Sequence, residues 1–235
     1  MNRISVIQML INKLSMEKPV TYLEIGSAAG MTLFKIKAKR KIAVDLRLDY
    51  KKTKKIKWMF KNICNINNRY YKTTSNKFFE KQTDVLLKHG LDVVFIDGLH
   101  TYRQSLEDVQ NALKFLNERG VIVMHDCNPP SEAAAYPTDS LEHAVSLNLP
   151  GWTGQWCGDV WKTICYLRSI EKDLRVFVLD CDYGLGIIAR GQPENLLDFS
   201  AEQIEDFSYS DLVNNHQRLL NLKPAGYINE FIGFV

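Results

Sequence analysis

The sequence predicts an α/β fold, an open doubly wound sheet of mostly parallel strands with helices on both faces. Two observations carry this. First, short apolar runs that are partly β-branched recur, as at Val93–Ile96 and Val121–Met124, and such runs read as buried parallel strands. Second, the segment between those two runs carries apolar residues at Leu106, Val109, Leu113 and Leu116, which is helical spacing. Gly120 follows as a helix C-terminal residue. The 235 residues are 46% hydrophobic and 24% charged, enough apolar content for one domain with a sizeable core.

The chain begins with Ile4, Ile7, Leu10, Ile11 and Leu14, one face of a helix within residues 1–18 that Pro19 closes. This segment alternates apolar and polar residues, so it reads as neither a signal peptide nor a membrane span. Val20–Ile25 is a strand with Glu24 near its end. Gly26-Ser27-Ala28-Ala29-Gly30 follows, and Met31–Ile36 is expected to start a helix. Glycines there let the backbone turn sharply, and N–H groups at a helix start can bind polar ligand atoms. The spacing departs from the dinucleotide fingerprint because Ala28 stands where a glycine belongs. A plain strand-to-helix turn is the structural alternative.

Ile42–Val44 is a second strand ending at Asp45. An acid about 20 residues beyond such a turn suits the two hydroxyls of a ribose. The lysine-rich run from Lys51 to Asn62 reads as a solvated helix face with Ile56, Trp58 and Phe60 partly inward. Tyr70–Phe79 reads as a strand end followed by Ser75 as a helix N-cap, with Ser75 and Asn76 as adenine-site candidates.

Two strand ends then carry Asp97, with His100 three residues on, and the pair His125 and Asp126. Ligands bind outside the carboxyl ends of strands in open α/β sheets, so these four residues form a candidate reaction centre. The aperiodic segment Asn128–Ser140 reads as a lid or binding loop. Gly151–Lys162 concentrates Trp152, Trp156 and Trp161 around Asp159. Trp156, Asp159 and Trp161 are acceptor-site candidates because aromatic faces suit a sugar or a planar acceptor; a core role for the tryptophans is the alternative. Val160–Leu167 is a helix, Leu174–Leu179 and Gly184–Ala189 an antiparallel pair, and the segment from Ser208 helical.

A net charge of +3 gives no argument for nucleic acid. The five cysteines are odd in number and contain no C-x-x-C pair. Reduced thiols in the cytoplasm fit best, with neither a disulfide framework nor a zinc site.

Glu24-Ile-Gly26-Ser-Ala-Ala-Gly30, then Asp45, FIDGLHTY and GVIVMHD together resemble the class I S-adenosylmethionine-dependent methyltransferases over residues 20–130. Within that class the chain looks most like small-molecule O-methyltransferases, including those acting on sugar hydroxyls of natural products. The resemblance implies a Rossmann-like methyltransferase fold with a seven-stranded sheet and an antiparallel edge strand. The whole chain would form one methyltransferase domain, with a cofactor core at 20–130 and an acceptor loop, hairpin and helix at 131–235. It implies S-adenosylmethionine bound by Glu24, Gly26, Ser27, Gly30, Asp45, Ser75 and Asp97, with His100 as the base. Related sugar enzymes hold magnesium at acids matching Asp97, His125 and Asp126. Here His125 departs from the carboxylate pattern, which leaves both a metal-free site and a softer ion open. The expected partners are a small hydroxylated acceptor and a second copy in a homodimer, without nucleic acid or membrane. A nicotinamide-dependent oxidoreductase and a non-catalytic cofactor-binding relative are the competing readings.

Overall fold

The computed structural model describes residues 1–48 and 50–235. Contacts group these residues into two units interleaved along the sequence. The first takes Met1–Gly98, Glu107–Val123 and Asn229–Val235, and the second Leu99–Leu106 and Met124–Ile228.

The first unit opens with α1 (Arg3–Leu14). Asn2 caps it, its side chain accepting from Ser5 N while Ser5 closes the reciprocal bond. The buried stripe is Val6, Ile7, Leu10, Ile11 and Leu14, so Val6 takes the place expected of Ile4. The strands are β1 (Thr21–Ile25), β2 (Arg40–Val44), β3 (Asn68–Tyr71), β4 (Leu91–Ile96) and β5 (Leu116–Met124), whose last residue falls in the second unit. Their order is β3-β2-β1-β4-β5. β1 runs parallel to β2 and to β4, and β2 parallel to β3. All five residues of β1 and all six of β4 are buried, as expected of strands covered on both faces.

Several local expectations fail for identifiable reasons. Met31–Lys35 forms turns rather than a helix, because the carbonyls of Leu33, Phe34 and Ile36 bond the side chains of Lys41, Asn62 and Asn65 in place of helix N–H groups. Helix α2 (Lys52–Lys61) is the solvated lysine face expected, yet Ile56 and Phe60 point outward and no residue of it is buried. The N-cap of α3 (Ser75–Lys81) is Thr74, whose Oγ1 accepts from Lys77 N; Ser75 is instead a buried first-turn residue. α4 (Thr83–His89) ends at Gly90. α5 (Tyr102–Leu113) stops early, so Leu116 and Gly120 belong to β5 and not to a helix end. Leu91 N bonds the carbonyl of Phe115, which commits the chain to extended structure just before Leu116.

The second unit contains α6 (Glu132–Ala135), α7 (Leu141–Ser146), α8 (Trp161–Ile170), β6 (Leu174–Asp180), β7 (Leu185–Arg190), α9 (Ala201–Glu205), α10 (Tyr209–Leu220) and β8 (Leu222–Pro224). The order is β7-β6-β8, with β6 and β7 antiparallel and β8 parallel to β6. The antiparallel pair was legible in the sequence. The three-residue β8 was not, and the described residues therefore hold eight strands where seven were expected. The segment expected to be a lid is tied down instead. Ser131 caps α6, and Ala133, Ala134 and Ala135 are buried, with the Ala134 carbonyl accepting from Cys157 N and Gly158 N.

Buried cations that donate to carbonyl oxygens pin each unit. Lys41 Nζ donates to Leu33 O and Ile36 O, both at 2.9 Å, and to Asn65 Oδ1. Arg168 donates to the carbonyls of Leu219, Arg218 and Asn195. Lys41 thereby satisfies the carbonyls of the turn after Gly30. Lys41→Met should leave these acceptors buried and unmatched, lowering the unfolding free energy by about 1–3 kcal/mol. Urea denaturation measures it, and unchanged stability would show that the network contributes nothing.

Candidate active site

The residues expected at the cofactor all lie in the first unit. Gly26 and Gly30 both adopt left-handed backbone, with φ +82° and +71°. At Gly26 a Cβ would collide with the carbonyl of Asp97, so only glycine lets the ends of β1 and β4 close together. The turn folds onto Asp45, which follows β2. One carboxylate oxygen accepts from Ala28 N at 2.7 Å and the other from Arg47 N at 2.6 Å. Asp45 thus stands beside the glycine turn, as a ribose ligand would require. Ser27 is 3% exposed, and its Oγ has no partner among the described residues. Its carbonyl accepts from Tyr50 OH. Asp97 pairs with Arg3 at 2.9 Å. Nothing in the spacing of α1 marks Arg3 as its partner.

Glu24 is 2% exposed and accepts from Tyr22 OH at 2.6 Å. Burial pushes its carboxyl up from 4.5 to about 8, against the lowering effect of the Tyr22 bond.

The second unit assembles the histidines. His100 Nδ1 lies 2.6 Å from the carbonyl oxygen of Trp156 and 3.3 Å from Asp126 Oδ2. A carbonyl only accepts, so in the neutral ring the proton sits on Nδ1 and the basic lone pair on Nε2. Trp156 also stacks on the imidazole, with ring centroids 5.2 Å apart. Asp126 Oδ2 is 2.9 Å from His125 Nδ1, and His125 Nε2 is 3.7 Å from Asp182 Oδ1. The result is a row, His100–Asp126–His125–Asp182, two of whose members the sequence placed together at one strand end.

The other acceptor candidates separate. Trp156 is held against His100 and donates from Nε1 to Tyr136 O. Trp161 is 1% exposed and stacked on Phe207, so its ring is part of the core and offers no face to an acceptor. Asp159 accepts from Tyr102 N at 2.6 Å and so caps α5. A cavity of about 480 Å³ opens instead beside Asn128, Asp182, Tyr183, Tyr209 and His216. His216 Nε2 lies 2.5 Å from Asn128 Oδ1. The sequence gave no periodic signal for this cavity: Asp182 stood in an apparent turn and His216 in a helix.

Residues 23–127 match the family model for a methyltransferase domain. That stretch includes Glu24, the glycine turn, Asp45, Asp97, His100 and the pair His125–Asp126. Among solved structures, cofactor-bound Rv0187 from MTB aligns with a TM-score of 0.56 at 12% identity over 82% of each chain. The fold is one that solved O-methyltransferases share. The O-methyltransferase TomG from Streptomyces achromogenes, solved with SAM, aligns with a TM-score of 0.51 at 11% identity, covering 79% of this chain and 78% of its own. The O-methyltransferase from Bacillus cereus, solved with SAH, aligns with a TM-score of 0.51 at 12% identity over 80% of this chain and 81% of its own. One curated protein, named as an N-acetylmannosamine-6-phosphate 2-epimerase of Clostridioides difficile (strain 630), is 27% identical over 100 residues. The alignment covers 43% of this chain and 44% of that protein, which is too little to carry an activity across. Among the described residues no helix is long and apolar enough to cross a membrane.

The raised Glu24 carboxyl has a consequence for stability. Between 4.5 and about 8 the folded chain holds a proton that the unfolded chain has released. Stability from this group is therefore full below its ordinary value and falls as pH rises through that window. Urea midpoints measured across it should decline in the wild type, and Glu24→Gln should flatten that decline. An equal decline in both proteins would place its origin elsewhere.

Proposed function

We propose that this chain is an S-adenosylmethionine-dependent O-methyltransferase that methylates a hydroxyl of a small molecule such as a sugar or a natural product. The observation that carries the reading is the fixed tautomer of His100: the Trp156 carbonyl holds the proton at Nδ1, which leaves Nε2 as the base. The cofactor assignment rests on the glycine turn beside Asp45 and on the family match to residues 23–127.

Methyl transfer from a sulfonium is a direct displacement. The acceptor oxygen attacks the methyl carbon as the carbon–sulfur bond breaks, and S-adenosylhomocysteine leaves. Alignment of the three reacting atoms supplies much of the rate. A neutral alcohol is a poor nucleophile, so its proton passes to His100 Nε2 as the new bond forms. Asp126, 3.3 Å from Nδ1, stabilises the imidazolium that results. In this reading the acceptor occupies the cavity beside Asp182, Tyr209 and His216, whose polar side chains suit a hydroxyl-rich molecule. A divalent cation at the Asp126 carboxylate also belongs to the reading. Bound there, it would lower the pKa of the acceptor hydroxyl. A homodimer and a cytoplasmic setting complete the proposal. The nicotinamide alternative is not favoured: Ala28 replaces the middle glycine of that fingerprint, and the matched family is a methyltransferase domain.

Asp45→Ala should weaken S-adenosylmethionine binding by about 1–3 kcal/mol, the worth of hydrogen bonds to a charged acceptor. Calorimetry reads this directly, and wild-type affinity in the variant would remove the ribose assignment. His100→Ala should lower kcat by about 10²–10⁴-fold with cofactor affinity kept. Full turnover in that variant would refute the base. EDTA should slow turnover and Mg²⁺ or Mn²⁺ should restore it, and undiminished turnover in EDTA would take the ion out of the reading.

A further inference from the structure

We propose that the first unit carries a second ligand site, for the diphosphate group of a small molecule, at the amino-terminal edge of its strands. A cavity of about 430 Å³ lies there, within the size range of small-molecule sites. Thr21 and Arg40, the first residues of β1 and β2, line it, together with Asn68 and Arg69 from the start of β3. Lys39, Asn67 and His89 add to its polar wall, and no carboxylate is among the lining residues.

The cations are not neutralised from within. Among the described residues neither Lys39 nor Arg69 has an ion-pair partner, and the Arg40 guanidinium donates to the carbonyl of Pro19 at 3.3 Å, not to a carboxylate. Lys41 also lines the cavity, but its ammonium is turned inward onto Leu33 O and Ile36 O. Asp92, whose Oδ2 accepts from Thr21 N, is already matched by Lys18 and Asn117. Burial, and then the charges of Arg40, Lys88 and Arg69, hold the His89 imidazole below its ordinary value. The same positive charges would welcome an anion.

One hydroxyl points to a ligand independently of the charge: Thr21 is 2% exposed and its Oγ1 has no hydrogen-bond partner among the described residues. A buried hydroxyl without a partner is costly, and a phosphate oxygen would accept from it. The site is distinct from the glycine turn. Thr21 and Arg40 begin five-residue strands whose other ends, Ile25 and Val44, lead into Gly26 and Asp45. Four strand steps separate them, roughly 13 Å.

The test is calorimetric titration of the full chain with inorganic pyrophosphate at low ionic strength. One saturable equivalent should bind. Arg40→Glu combined with Arg69→Glu should weaken binding by about tenfold or more. Thr21→Val should weaken it too, and the His89 pKa read by NMR should rise on binding. Asp45→Ala should leave pyrophosphate affinity unchanged, which separates this site from the cofactor proposal. If the double variant fails to fold, Lys39→Glu, at an exposed side chain, carries the same comparison. Absence of saturable binding, full binding in the charge-reversed variants, or loss of binding in Asp45→Ala would each overturn the proposal.

Discussion

The first unit depends on the contact between Gly26 and the backbone of Asp97. β1 and β4 are parallel neighbours, and Gly26 N and Asp97 N take the last bonds of the ladder, to Val44 O and Ile25 O. The chain must then turn within the space left by the Asp97 carbonyl, which no Cβ could share. That turn sets Ala28 N against Asp45, and so fixes the acid at the end of β2 relative to the end of β1. Three strand ends are placed by one missing methyl group. The left-handed φ at Gly26 makes the same demand separately, since only glycine visits it without cost.

The buried cations show why this arrangement holds without a helix after the turn. Residues 31–36 leave carbonyls that a helix would have satisfied internally. Lys41 reaches from the second residue of β2 to take Leu33 O and Ile36 O, the Asn62 side chain shares Ile36 O, and Asn62 and Asn65 both donate to Phe34 O. Burial lowers the Lys41 pKa towards about 8, while the three acceptors favour the charged form. The irregular segment is thus paid for by amides and an ammonium from elsewhere in the sequence, a long-range solution that local propensity does not reveal.

Much of the fold was legible because its signals were local. Apolar runs at Val93–Ile96 and Val121–Met124, the acid at Asp45 and the hairpin at Leu174–Ala189 are read from spacing alone. The failures are tertiary. Leu116 and Gly120 fitted a helix by period, but the strand bond from Leu91 N to Phe115 O overrides the period. Trp161 was chemically attractive beside Asp159, yet it fills the core against Phe207. For the site, the sequence delivered His100, His125 and Asp126 through their nearness to strand ends. It could not deliver Asp182, Arg3 or His216, whose partners lie 57, 94 and 88 residues away in the chain.

The second unit concentrates backbone strain where its ionisable groups meet. Asp126, Asp182 and Tyr183 all have left-handed φ, at +61°, +51° and +61°, although none is glycine. Each such residue costs of order 1 kcal/mol or more and persists only where its surroundings determine it. Here the surroundings are specific: Cys127 N and Asn128 N bond the carbonyls of Gly184 and Tyr183, which locks the chain after Asp126 to the turn after β6. The lock brings Asp182 to within 3.7 Å of His125 and leaves Asp126 between two imidazoles. An unstrained turn at either place would carry one carboxylate away from the row. If it were Asp126 that moved, His100 would keep its tautomer, which the Trp156 carbonyl sets, but would lose the carboxylate beside it. The tautomer of His100 and the charge beside it are thus set by two separate segments of the chain.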